Sequence, residues 1–353
     1  MDRPADHRKN GADGHDRLWI AVSSAFSSMF ERNWAFRSSS RSLLLRMSRI
    51  KSLATGRRRA PASIAIRAIT ARSRWNGVFI YLPHSELSAA QRFSISKVAA
   101  LSGSMVVVCA APTPADVPAE LLDGADAVYW KALSGFDFSA YALILREVAD
   151  HSAGADLYLQ NDSVLGPFGD VDQLLADAPW RMTGFMASAA LENHIQSYAF
   201  MLRKVDAEMV EALSAVLSAR WAYDDWRDVV NLQETRLARI AAKSMTVGAM
   251  WFAPRAGGNE IGLRTAVARK LGVKRSATIG DGVLDPSLVA ARALTEQGFP
   301  FVKKSLFERN RKFQDTAALE HFLRQQGHPS MMNRPDEMGG AAAQAKDDKT
   351  ESV

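Results

Sequence analysis

The residue types best suited to chemistry in this chain stand in a few short polar segments. Asn161-Asp162-Ser163 directly follows the apolar run Asp156-Leu157-Tyr158-Leu159-Gln160, and Gly166-Pro167 then forces a turn. A carboxylate beside an amide and a hydroxyl can hold a hard divalent cation or the hydroxyls of a sugar. Magnesium on a diphosphate needs only one or two protein carboxylates, because the phosphates supply other ligands. Asp162 or Ser163 can equally serve as a helix N-cap. Asp137, within Gly135-Phe136-Asp137-Phe138-Ser139-Ala140-Tyr141, offers a second carboxylate. It can bond a nucleotide base or ribose, or merely cap the next helix. In His194-Ile195-Gln196-Ser197-Tyr198, strand alternation would place His194, Gln196 and Tyr198 on one face. Three convergent polar groups suit a hydroxyl-rich ligand, and the plainer alternative is a solvated face.

These segments need a scaffold that brings them together, and the apolar pattern supplies one. Runs at 77–82, 105–110, 125–130 and 156–160 read as buried strands, with helical spacing between them over 87–101 and 141–149. Short apolar strands alternating with helices imply a mostly parallel α/β sheet covered on both faces. Ligands bind such sheets beyond the carboxyl ends of the strands, where Asp137 and Asn161-Asp162-Ser163 fall. The C-terminal half is less regular. Strands are expected at 181–186, 194–202 and 246–252, and helices at 205–217, 234–243 and 287–297.

Several chemistries lack their signatures. No Gly-x-Gly-x-x-Gly follows the first strand, where Leu82-Pro83-His84-Ser85 stands. There is no phosphate-binding loop ending in Gly-Lys-Ser/Thr, no zinc spacing and no Gly-x-Ser-x-Gly elbow. Ala256-Gly257-Gly258-Asn259-Glu260 is a weak phosphate cradle. The single cysteine, Cys109, lies in an apolar run and reads as a buried small hydrophobe.

With 353 residues and 47% hydrophobic composition, the chain can bury a sizeable core. The net charge of +6 hides an asymmetry. Residues 1–75 carry 16 Lys and Arg against 5 Asp and Glu, and the remainder carries 28 against 33. The basic excess therefore sits in the first fifth of the chain and points to an anionic partner surface. Residues 18–54 interleave aromatic and aliphatic residues with arginine, a pattern for an interfacial helix on anionic lipid or for a poorly ordered basic extension. No nucleic-acid module follows, so no specific nucleic-acid partner is expected. Leu18–Phe30 is too short to span a bilayer and has no clean cleavage pattern, which predicts a cytoplasmic protein. The expected organisation is a basic extension over 1–74, an α/β domain over 75–328 and a disordered tail over 329–353.

Taken in order, 135–141, Asn161-Asp162-Ser163-Val164-Leu165-Gly166-Pro167, Thr183-Gly184, His194-Ile195-Gln196-Ser197-Tyr198 and Pro300-Phe301-Val302-Lys303-Lys304 resemble the rhamnan synthesis protein F-like glycosyltransferases. The resemblance runs from about Val78 to Phe307. It implies a GT-A-like fold and transfer of a sugar, such as rhamnose or another deoxysugar, from a nucleotide-sugar donor. The acceptor would be a lipid-linked or growing envelope polysaccharide, on the inner face of the cytoplasmic membrane. It places Asp162 at the sugar-phosphate motif, where Mg2+ or Mn2+ would bind. As only one acid stands there, Lys303 and Lys304 can instead neutralise the diphosphate. Transfer also needs a base for the acceptor hydroxyl. Glu234 is the first candidate, and Asp224 and Asp225 follow. A non-catalytic carbohydrate-binding or scaffold protein on the same fold, or another Rossmann-like transferase, is the competing reading.

Overall fold

The computed structural model describes residues 30–39, 46–47, 49–50, 52–53, 56–189, 191–254, 285–311 and 316–328. The expectations for residues 1–17, for the 256–260 loop and for the tail from 329 fall outside them.

Three strands precede the expected start of the α/β body at residue 75: β1 (Glu31–Ala35), β2 (Arg57–Arg59) and β3 (Ser63–Arg67). The regular half follows as β4 (Arg74–Tyr81), α1 (Ala89–Ala99), β5 (Ser104–Ala110), α2 (Ala119–Gly124), β6 (Ala127–Lys131), α3 (Phe136–His151) and β7 (Asp156–Asn161). After it come β8 (Val164–Leu165), α4 (Val171–Asp177), β9 (Met182–Ser188), β10 (His194–Ile195), β11 (Ala199–Leu202) and α5 (Ala207–Leu213). The remaining described elements are β12 (Trp221–Tyr223), α6 (Thr235–Ala241), β13 (Val247–Ala253), α7 (Pro286–Val289), α8 (Ala291–Glu296), β14 (Val302–Lys303) and α9 (Thr316–Gln325).

Ten strands form one sheet in the order β1-β13-β9-β11-β7-β4-β5-β6-β3, with β10 paired to β9. β7, β4, β5 and β6 pair in parallel, and so do β9 and β13. β11 lies antiparallel between β7 and β9, so all six run the same way around it. Alternation along β5 shows why the sheet is sandwiched. Val106, Val108 and Ala110 join one core cluster with α3, α5 and α6, while Met105, Val107 and Cys109 join the other with α2 and α4. Both faces need cover, and the intervening helices give it. This is the α/β class expected from the sequence. Cys109 is fully buried, and burial pushes its thiol up to about 12, in keeping with a packing role.

The early strands displace the expected domain boundary. β1 extends the sheet by pairing with β13, and β3 forms its other edge on β6. β3 is exposed at every residue, so it carries no buried apolar signal. β2 is Arg57-Arg58-Arg59, paired with β12 outside the main sheet.

Candidate functional site at the carboxyl edge of the sheet

The six co-directional strands end at Tyr81, Ala110, Lys131, Asn161, Ser188 and Ala253. β11 runs the opposite way and starts at this edge, so the preceding loop, residues 196–198, lies there too. Nearly every polar segment singled out from the sequence therefore reaches one rim.

Asn161-Asp162-Ser163 caps no helix, because β8 follows it. Instead Asn161 Oδ1 accepts from the Ser163 N–H (3.0 Å) and hydroxyl (2.5 Å), a turn closed by a side chain. Asn161 Nδ2 donates to Asp137 Oδ2 at 2.6 Å. Asp162 Oδ2 accepts from Tyr81 N–H (3.3 Å) and Gln91 Nε2 (2.8 Å), and Lys304 Nζ stands 3.9 Å away. Gln91 also closes the capping box of α1 with Ser88, so the helix start and the turn are wired together. Gly166 permits the fold-back after the turn. Its φ is +123°, and an added Cβ would clash with Pro300 O, in the segment that leads into Lys303 and Lys304.

Asp137 sits in the first turn of α3 rather than at its cap, which is Gly135. Burial raises its pKa to about 6. The bond from Asn161 opposes that shift, and the charge of Glu234 adds to it. Glu234 ends a π-helical stretch, Val229–Glu234, just before α6. Such stretches are frequent at functional sites. One of its oxygens, Oε1, accepts from both the Ser197 N–H (2.9 Å) and hydroxyl (3.1 Å). Tyr141, on α3, donates to Ser197 O at 3.0 Å and fixes the same loop from below. Neither Asp137 nor Glu234 forms an ion pair among the described residues.

The expected single strand over 194–202 is broken into β10 and β11, and the intended common face breaks with it. His194 pairs with Ser188 and turns its Nδ1 to Glu192 O at 2.7 Å, away from the other two. Gln196 and Tyr198 do meet. Gln196 Nε2 donates to Asp285 Oδ1 at 2.8 Å, and Lys303 Nζ lies 5.3 Å from the Tyr198 ring centre while pairing with Asp285 Oδ2 at 2.7 Å. Burial would raise Asp285, but Lys303 and the hydrogen bonds from Ser287 and Gln196 outweigh it and hold its carboxyl below the usual range. Lys303 is thus already neutralised, and Lys304 is the lysine nearer Asp162. Gln196 Oε1 and Tyr198 OH are buried without a hydrogen-bond partner among the described residues, a costly arrangement that a bound polar ligand would relieve.

Sequence reasoning missed three parts of this rim. Lys131 ends β6 and is buried, with Nζ donating to Ala132 O (2.9 Å) and Ser134 O (2.6 Å). Burial lowers its pKa to about 8 against the opposing pull of Asp137 and Asp224. A lysine closing an apolar strand at a ligand-binding edge was the available signal. Asp285 had no signal, because it meets the site only through the fold. The third part is Arg49. Its Nε donates to Asn231 O (2.8 Å), and its Nη2 reaches Thr235 Oγ1 (2.7 Å) and Glu192 Oε1. Arg239 Nη2 pairs with the other Glu192 oxygen at 2.5 Å. A residue of the supposed extension thus braces the helix that carries Glu234. Asp224, one alternative base, is occupied by the Gly135 N–H at 2.7 Å, and Asp225 caps the turn Trp226–Asp228.

Among the described residues, no group of three or more His, Cys, Asp or Glu side chains is arranged to hold a metal ion. A cation at Asp162 would draw most of its ligands from a diphosphate and water.

No protein-family model and no curated protein matches the chain. Among solved structures, a 4-diphosphocytidyl-2C-methyl-D-erythritol synthase from Anaerococcus prevotii aligns at 11% identity and TM-score 0.34, covering 56% of this chain and 97% of its own. HddC from Yersinia pseudotuberculosis aligns at 7% identity and TM-score 0.28, covering 51% and 91%. A protein named as a nucleotide-diphospho-sugar transferase from Desulfovibrio desulfuricans aligns at 10% identity and TM-score 0.30, covering 63% and 95%. Likenesses this distant carry no functional weight, and the reading of function rests on the residues.

Proposed function

We propose that the chain is a glycosyltransferase of GT-A-like architecture that moves a sugar from a nucleotide-sugar donor to a lipid-linked or growing envelope polysaccharide. The observation that carries this reading is the polarity of the rim. The Asn161–Ser163 turn has a lysine, Lys304, on one side and an acid pair, Asp137 and Glu234, on the other. A donor diphosphate fits the first side and an acceptor hydroxyl the second. The ordered resemblance of 135–304 to rhamnan synthesis protein F-like enzymes supports the same assignment.

In this scheme Lys304 neutralises charge on the departing diphosphate. Lys303 holds Asp285 and the Tyr198 ring at the border of the donor pocket. Asn161, Ser163, Gln196 and Tyr198 take sugar or ribose hydroxyls. Asp137 orients Asn161. Glu234 removes the acceptor proton through Oε2, since Ser197 occupies Oε1. Asp162, with the donor diphosphate as the other ligand, would hold Mg2+ or Mn2+, which would supply Lewis-acid stabilisation of the leaving group. His194, turned to Glu192 O, is left to brace the β9–β10 turn.

The test is nucleoside-diphosphate release from a panel of nucleotide sugars, with a lipid extract as acceptor source and with or without Mg2+ or Mn2+. The expected result is release from at least one donor that Glu234→Gln suppresses. A binding-only protein would show a ligand but no release, and release untouched by Glu234→Gln would remove the base assignment.

A further inference from the structure

Seven large apolar side chains are exposed among the described residues, and four of them stand on two neighbouring pieces of chain: Met47 (60%), Ile50 (68%) and Leu53 (36%) on one and Trp226 (60%) on the other. Contacts of Arg49 with Asn231 and of Gly56 with Asp228 bring the two pieces together. Residues 46–47, 49–50 and 52–53 are helical. Arg49 turns inward to Asn231, Thr235 and Glu192, so Met47 and Ile50 on either side of it turn out to solvent. This piece lies along the π-helical stretch. It starts at Asn231 and reaches Asp228 at Gly56, where an added Cβ would stand 2.3 Å from Asp228 Oδ2. β2 follows at once, with Arg57 opposite Tyr223 and over the Trp221 ring at 4.6 Å. Trp226 comes three residues after Tyr223.

The two pieces are rich in arginine. Arg46, Arg57, Arg58, Arg59 and Arg227 are all exposed, and along β2 Arg57 and Arg59 share one side while Arg58 takes the other. The exposed acids among them are turned to backbone amides: Asp224 accepts from Gly135 N–H and Asp225 from Arg227 N–H. Exposed apolar side chains, a tryptophan and arginines on adjoining pieces of chain form the pattern of a surface seated in a lipid headgroup layer. Scattered exposed apolar residues need no explanation, but a concentrated patch rimmed by charge does. Among the described residues no helix is long and apolar enough to cross a membrane, so the contact would be peripheral.

We propose that Met47, Ile50, Leu53 and Trp226, with Arg57, Arg58 and Arg59, form a docking face for an anionic lipid bilayer, set beside the acceptor side of the site. Asp224 ties this face to Gly135, two residues from Asp137, and the stretch running from Trp226 ends at Glu234. A lipid-carried acceptor would arrive next to the base without leaving the membrane. The significance for catalysis rests on the glycosyltransferase reading, whereas the docking itself does not.

The experiment is vesicle flotation of the full chain with phosphatidylcholine alone and with added phosphatidylglycerol. Wild type floats with the anionic vesicles only. Arg57→Gln/Arg58→Gln/Arg59→Gln lowers partitioning on the order of a hundredfold, and Met47→Ser/Ile50→Ser and Trp226→Ser each lower it at least tenfold. Circular dichroism confirms that these surface variants remain folded. Asp162→Ala floats like wild type, which separates this claim from the donor site. Flotation absent from wild type, equal on neutral vesicles, or unchanged in all three surface variants overturns the proposal. So does a dimer in sedimentation velocity that Met47→Ser/Ile50→Ser dissociates, since a second copy would then own the face.

Discussion

Two acids meet at the same helical segment, Glu234 on it and Glu192 through Arg49 and Arg239, and are treated in opposite ways. Glu192 has a fully buried side chain, but both of its oxygens are held by arginines, Arg49 and Arg239. Glu234 is half-buried and has only the hydroxyl and amide of Ser197, while Asp137 nearby has Asn161 and a backbone amide. A buried charge that is paired on both sides is structural. Two acids kept close together with Lys131 nearby but no direct ion pair among the described residues are unfavourable for folding, and such an arrangement marks a site that chemistry uses. The difference separates a brace from a working edge within a few residues of chain.

The largest effect should come from breaking the brace. Glu192→Ala leaves two arginines facing each other in the interior and should lower stability by about 3–5 kcal/mol, read by denaturant unfolding. A loss below about 1 kcal/mol would show that the two acids are not different in kind. Glu234→Gln should do the reverse, with kcat falling on the order of a hundredfold and the melting temperature almost unmoved.

Asp137 sharpens the comparison through pH. In the folded chain it keeps its proton up to about pH 6, against an ordinary unfolded value near ~3.9. The folded state therefore binds more protons between these limits. Its stability falls as pH rises through that window, and the whole cost is present at pH 7. Asp137→Asn should raise the melting temperature at pH 7 and have little effect near pH 4. An equal change at both pH values would deny that this acid is destabilised by its surroundings. The smallest effect belongs to Lys304, which is partly exposed and 3.9 Å from Asp162. Lys304→Ala should weaken binding of a nucleoside diphosphate by about three- to tenfold, measured by calorimetry.

The sequence revealed the regular half of the fold better than the half that completes the site. β4 to β7 are buried on both faces, so their apolar runs identify them, and Asn161–Ser163 is placed by where β7 must end. β2 and β3 escaped because their residues are exposed and arginine-rich or alternate without burial. The 194–202 segment is buried throughout, so periodicity could not reveal the turn that separates Gln196 and Tyr198 from His194. The π-helical stretch has no distinct side-chain period, which is why Glu234 was expected to open an ordinary helix. Lys303 and Lys304 are adjacent in sequence yet have different partners, Asp285 and Asp162. Only the pairing of β14 with β8 decides which faces which way.

The turn at residue 162 is the centre of the proposed donor site. The direct measurement is thermal unfolding of wild type and Asp162→Ala with nucleoside diphosphates and their sugars, with and without Mg2+ or Mn2+. A ligand that binds the folded chain raises its stability by mass action. Wild type should rise in melting temperature with at least one nucleotide sugar, and Asp162→Ala should lose that rise. A rise of the same size in both proteins would contradict this and move the donor site away from the Asn161-Asp162-Ser163 turn.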